Sequence, residues 1–201
     1  ITQVLVNKDD PAFENPTKPI GPFYTKEEAE QINSETKAVF KEDARGRGWR
    51  KVVASPTPLV IFNRQTIEKI AREGHIVIAV GGGGIPCFYV ESNKLQGIDA
   101  VIDKDLASSL LASQIRADKL FILTDVPKVC INFNTPQEKS LDKMTIAEAK
   151  RYLEEGQFGE GSMAPKIRAA INFVERSGKD TIITESTLLG VDGGGTRVTI
   201  V

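Results

Sequence analysis

The chain has 201 residues, 40% hydrophobic and 26% charged, enough apolar material for a substantial core in one large domain, or one large and one small. Its 26 Lys and Arg against 27 Asp and Glu leave a formal net charge of −1, which excludes the global basic field of a nucleic-acid binder and makes any anion site local. No apolar run reaches bilayer length, the first residues lack a signal-peptide layout, Cys87 and Cys130 show no CxxC spacing, and the single histidine, His75, rules out a zinc site of paired histidines.

These features predict a cytoplasmic globular protein with two reduced core thiols and no membrane or nucleic-acid partner. In chain order, "QVLV" (Gln3–Val6) predicts a strand that starts almost at residue 1, so residues 1–8 are expected to be the end of a lobe lying mostly upstream. Residues 9–58 change character. Proline is dense in "DPAFENPTKPIGPF", a short helix fits "TKEEAEQI", and "KAVFKED" and "RKVVASP" predict strands of a small antiparallel unit, a protruding subdomain.

Residues 59–201 alternate regularly. A helix "RQTIEKIAREG", a strand "HIVIAV", a glycine loop, a helix over 105–116 and the strands "LFILT" and "VCINF" come first. Helices near 145–155 and 165–177, a strand "TIIT" and a last strand "RVTIV" complete the pattern. Such alternation predicts an α/β fold with a mainly parallel sheet covered on both faces, and ligands beyond the carboxyl ends of its strands.

Several features could carry chemistry. Lys18 lies between Pro16 and Pro19, which restrict the backbone and fix where its side chain points; an exposed loop lysine is the plainer reading. Gly81 to Gly84 follow "HIVIAV" directly and leave backbone N–H groups open to an anion, although a flexible turn explains them equally and no GxGxxG or Walker spacing fits. The segment "GVDGGGTR" lacks the Walker lysine and reads as a turn into the last strand.

In "VIDKDLAS", Lys104 falls in the first turn of a helix, where the peptide dipoles disfavour a cation. Asp103 and Asp105 are expected to hold it. In "GSMAPKIRAAINFVERSG", Ser162 is a good N-cap, Pro165 suits the first turn, and Lys166 again stands at a helix start. Two such lysines are explained together if both face a polyanion that the helix N-termini also attract. A strand running into Thr124 and Asp125 is where a nucleotide or its metal could be met, or simply a turn.

The ordered set "DPAFENPTKPIGPFYTKEEA", "RGWRKVVASP", "GGGGIP", "VIDKDLAS", "LTDVPKVCINF", "GSMAPKIRAAINF" and "GTRV" resembles carbamate kinases over essentially the whole chain. That resemblance implies an amino acid kinase-like three-layer αβα sandwich with a small protruding subdomain, a homodimer, and reversible phosphoryl transfer between ATP and carbamate. In the direction of carbamoyl phosphate and ADP it serves to make ATP during arginine catabolism, with Mg²⁺. Lys104 and Lys166 resemble the two lysines flanking the transferring phosphoryl group, Asp105 the aspartate holding them, and Lys18 the subdomain lysine leaning over the site. Thr124, Asp125 and Val126, with Ser162 and Met163, resemble the ATP side of the cleft, and Gly82 and Gly83 its floor. The family's strand with a Gly-Gly-Asn phosphate cradle and its second Gly-rich loop do not occur here, so the chain resembles the C-terminal two thirds of the family's length. Ala164 stands where glycine is also common. Another acylphosphate kinase such as acetylglutamate kinase would share the lysines but not "NPTKPIGPFY", and a non-catalytic nucleotide-binding module would lose Lys104 or Lys166.

Overall fold

The computed structural model describes residues 2–43, 46–91 and 94–201. In chain order the elements begin with β1 (Gln3–Leu5), β2 (Lys18–Tyr24), α1 (Lys26–Thr36), β3 (Phe40–Glu42), β4 (Trp49–Val53), β5 (Val60–Ile61) and α2 (Arg64–Arg72). They continue through β6 (Ile85–Tyr89), β7 (Leu95–Gly97), α3 (Lys104–Gln114), β8 (Leu120–Thr124), β9 (Cys130–Ile131), β10 (Lys139–Ser140) and β11 (Lys143–Thr145). Last come α4 (Ile146–Glu154), α5 (Met163–Ser177), β12 (Thr181–Glu185) and β13 (Thr196–Thr199).

Within the segment expected to protrude, β2, β4 and β3 form a three-stranded antiparallel sheet in the order β2-β4-β3 with α1 against it. The stretch that read as a proline-rich loop is a strand here. As an edge strand, β2 can carry Pro19 and Pro22 because its outer side needs no ladder donors. A register shift between Ile20 and Tyr24, with Gly21 at φ +69°, absorbs the irregularity. α1 starts on a reciprocal capping box between Thr25 and Glu28.

Two four-stranded sheets, β5-β1-β6-β7 and β11-β13-β12-β8, form the rest of the α/β fold. Both are mixed where a mainly parallel sheet was predicted: β1/β6, β11/β13 and β8/β12 run parallel, whereas β1/β5, β6/β7 and β12/β13 run antiparallel. Two of the three antiparallel pairs, β6/β7 and β12/β13, join consecutive strands, a return that periodicity does not distinguish from a crossover.

One apolar cluster lies between the second sheet and its helices, with Ile122, Ile183, Val198 and Met144 from the strands against Ile167, Ala170, Phe173 and Val174 of α5. A second gathers Val4, Val6 and Ile61 with Ile67 of α2 and Leu110 and Leu111 of α3. α3 packs along α5 and so ties the two together. The opposite side of the second sheet turns Phe121 and Leu123 of β8 outward.

"HIVIAV" departs from expectation: among the described residues no strand pairs with it. Val77 and Ala79 pack against the second cluster while Ile76 and Ile78 are 98% and 95% exposed. The alternation that predicted a strand is therefore present as a one-sided burial pattern. A strand also needs a ladder partner, which periodicity cannot supply. "VCINF" shrinks for a related reason to the two residues that pair with β10.

Candidate active site

The site assembles around the first turn of α3. Asp103 is its N-cap: one carboxylate oxygen accepts from the backbone N–H of Asp105 at 2.9 Å and of Leu106 at 3.2 Å. Its other oxygen receives the ammonium of Lys18 at 2.6 Å. Lys18 is the first residue of β2, opposite Val53 of β4, so the ladder as well as the flanking prolines sets its direction. Asp103 thus does not hold Lys104, as expected from sequence; its second oxygen is committed to a lysine 85 positions upstream.

Asp105 joins the other two cations. Its Oδ2 accepts from Lys166 Nζ at 2.9 Å and its Oδ1 lies 3.5 Å from Lys104 Nζ. Lys166 sits in the first turn of α5, so this contact brings the N-terminal turns of α3 and α5 together. The two lysines differ in environment. The side chain of Lys166 is 12% exposed, whereas that of Lys104 is 60% exposed and has, among the described residues, one long contact. Three ammonium groups against two carboxylates, at two helix N-termini, leave a local excess of positive charge suited to an anion.

Burial alone pushes the Asp103 carboxyl up, but the Lys18 ammonium, followed by the backbone donors of Leu106 and Asp105, outweighs it and holds the carboxyl below its ordinary range. Asp103 therefore keeps its charge although it is nearly buried.

The glycine loop reaches the same place through packing. Gly83 is buried at φ +112°, and a Cβ there would stand 2.2 Å from the carbonyl oxygen of Ile102, the residue before Asp103. Only glycine permits that approach. The N–H of Gly81 donates to Ala79 and that of Gly83 to Val80, so these two are spent on turns and are not open to an anion as the sequence suggested. Gly82 is exposed, with open space around it. "GVDGGGTR" is the expected turn into β13, where Gly195 at φ +101° fits against Ile183.

Thr124 ends β8, and its hydroxyl donates to the Asp125 carboxylate at 3.1 Å; Val126 follows, half-buried. Ser162 occupies the N-cap of α5, but at φ −141° and ψ −78° its side chain makes no cap hydrogen bond, contrary to the expectation of a good cap. Met163 packs against the first cluster. Among the described residues no hydrogen bond or ion pair ties these five residues to the lysine group. The residue that sequence reasoning underrated is Asp103. An acid before a helix signals a cap, whereas its partner on a separate sheet leaves no local trace.

The profile of the amino acid kinase family matches residues 26–185. Carbamate kinase 2 of Staphylococcus aureus is 56% identical over 186 residues, 92% of this chain and 59% of the relative, so the chain spans about three fifths of the length of the curated relatives it matches. A solved structure from Aeropyrum pernix K1 superposes with a TM-score of 0.89 at 46% identity, covering 100% of this chain and 65% of that one. Carbamate kinase from Giardia lamblia bound to AMP-PNP gives 0.83 at 45% identity, covering 99% and 64%.

Proposed function

Because the chain belongs to the amino acid kinase family, we propose that it carries the phosphoryl-transfer site of a carbamate kinase, exchanging phosphate between ATP and carbamate and serving to make ATP from carbamoyl phosphate and ADP in arginine catabolism. The observation that carries this reading is the meeting of Lys104 and Lys166 on one carboxylate, Asp105, where two helix N-termini converge. The identity of the Staphylococcus aureus relative and the nucleotide analogue in the Giardia lamblia enzyme support it.

In the forward sense a carbamate oxygen forms a bond to the γ-phosphorus as the bond to the ADP oxygen breaks, giving carbamoyl phosphate and ADP. Carbamate attacks as an anion, so no general base is needed, and positioning with charge neutralisation suffices. Lys104 and Lys166 stabilise the charge on the equatorial oxygens, and Asp105 holds them at the right separation. Lys18 reaches the substrate from the protruding unit of residues 9–58, which acts as a lid on the lobe of 59–201. Thr124, Asp125, Val126, Ser162 and Met163 line the nucleotide, above a floor that includes Gly82 and Gly83. In this reading Mg²⁺ would be brought in on the nucleotide phosphates and would neutralise part of their charge. No described helix is long and apolar enough to cross a membrane. The proposed enzyme is a cytoplasmic homodimer.

The test is a coupled ATP assay on a polypeptide of the family's full length, supplied with ADP, Mg²⁺ and carbamoyl phosphate. ATP formation is expected, and a folded protein that forms none overturns the proposal.

A further inference from the structure

We propose that Asp103 is a positioning residue that stations the Lys18 ammonium beside the Lys104–Asp105–Lys166 group and thereby sets the affinity for the phosphorylated substrate. This rests on the phosphoryl-transfer reading above. Three observations carry it.

First, Asp103 does two separable jobs with two oxygens: Oδ1 caps α3, and Oδ2 receives Lys18. Capping needs only an uncharged acceptor, since Asn and Ser serve at N-caps as well as Asp does. Beyond the favourable α3 dipole, the negative charge has its partner in Lys18. Second, Asp103 is 7% exposed and Lys18 about one third exposed, so the pair is partly shielded from water and stronger than a surface ion pair. A nearly buried carboxylate that served only as a cap would be an unfavourable choice over Asn.

Third, the connectivity is specific. Lys18 stands on β2, in a sheet separate from the two that support the other lysines, and this ion pair fastens it to the same helix turn that carries Lys104 and Asp105. Asp103 therefore links the protruding unit to the reaction centre. In its absence Lys18 keeps its place in the β2–β4 ladder, while its ammonium loses the ion pair that fixes it relative to α3.

The experiment uses Asp103→Asn, which keeps a cap acceptor and removes the charge, in a polypeptide of full family length, beside Lys18→Met and the double variant. Expected is a KM for carbamoyl phosphate raised about tenfold or more, as for losing one charge-assisted hydrogen bond, with a smaller change in kcat and a melting temperature only a few degrees below wild type. The double variant should be no worse than Lys18→Met. In the same preparations the rate at which an N-hydroxysuccinimide ester acylates Lys18, read by peptide mass spectrometry, should rise several-fold in Asp103→Asn. A wild-type KM in Asp103→Asn, additive losses in the double variant, or an unchanged labelling rate each overturns the proposal. A wild-type enzyme without turnover instead overturns the phosphoryl-transfer reading, and the labelling then still judges the pairing of Lys18 with Asp103.

Discussion

Lys104 and Lys166 share a carboxylate but not an environment, and their substitution should separate chemistry from stability. Lys104 is mostly in solvent with a 3.5 Å contact, so as an ion pair it contributes about 1 kcal/mol or less. If it faces the transferring phosphoryl group, Lys104→Met in an enzyme of full family length should lower kcat on the order of 10³-fold, roughly 4 kcal/mol of transition-state stabilisation, while the melting curve barely moves. Lys166→Met should lower kcat comparably and also destabilise by about 1–2 kcal/mol, because it leaves the largely buried Asp105 carboxylate with only the 3.5 Å contact to Lys104. Steady-state kinetics beside thermal melts on both variants check this, and near-normal kcat in Lys104→Met would refute the proposed catalytic role. The Asp103 carboxyl has a folded pKa below its unfolded one. Its stabilisation is therefore present above the ordinary value of about 3.9 and is lost as the pH falls from there through the folded value. Melts of the 201-residue chain between pH 6 and pH 3 should show wild type losing its advantage over Asp103→Asn across that acid limb. An equal pH slope for the two proteins would contradict the assignment.

At the scale of elements, the helices that bear the site were legible because their signals are local. The apolar spacing of Leu106, Leu110 and Leu111 and the place of Pro165 in the first turn of α5 each act within a turn or two of chain. The stop of α5 at Gly178, in the left-handed conformation, is equally local. The glycine loop was half legible: four glycines announced freedom of backbone, but not that Gly83 spends it on lying against Ile102. Gly83→Ala should therefore destabilise the chain by about 2 kcal/mol or more, since both the positive φ and the backbone contact oppose a methyl group. Gly82→Ala, in open space, should cost far less. Urea unfolding of both variants gives the difference, and equal midpoints would refute the packing account.

On the scale of the whole molecule, the chain spans 59% of a curated relative's length and turns Ile76 and Ile78 almost wholly to solvent. We expect the 201-residue polypeptide by itself to show no turnover with ADP, Mg²⁺ and carbamoyl phosphate, because the Gly-Gly-Asn cradle that the resemblance to carbamate kinases implies does not occur in its sequence; measurable ATP formation by the purified chain would disprove this. By itself the sequence determined the α/β class, the helices to within a few residues, and the pairing of two lysines with helix starts, because those depend on apolar period and dipoles that act over a few residues. Only the tertiary structure decided that the sheets are mixed, that "HIVIAV" has no ladder partner among the described residues, and that Asp103 answers Lys18 rather than Lys104. Strand pairing and an ion pair across 85 positions depend on which segments the fold brings side by side, and that proximity leaves no mark in the local order of residues.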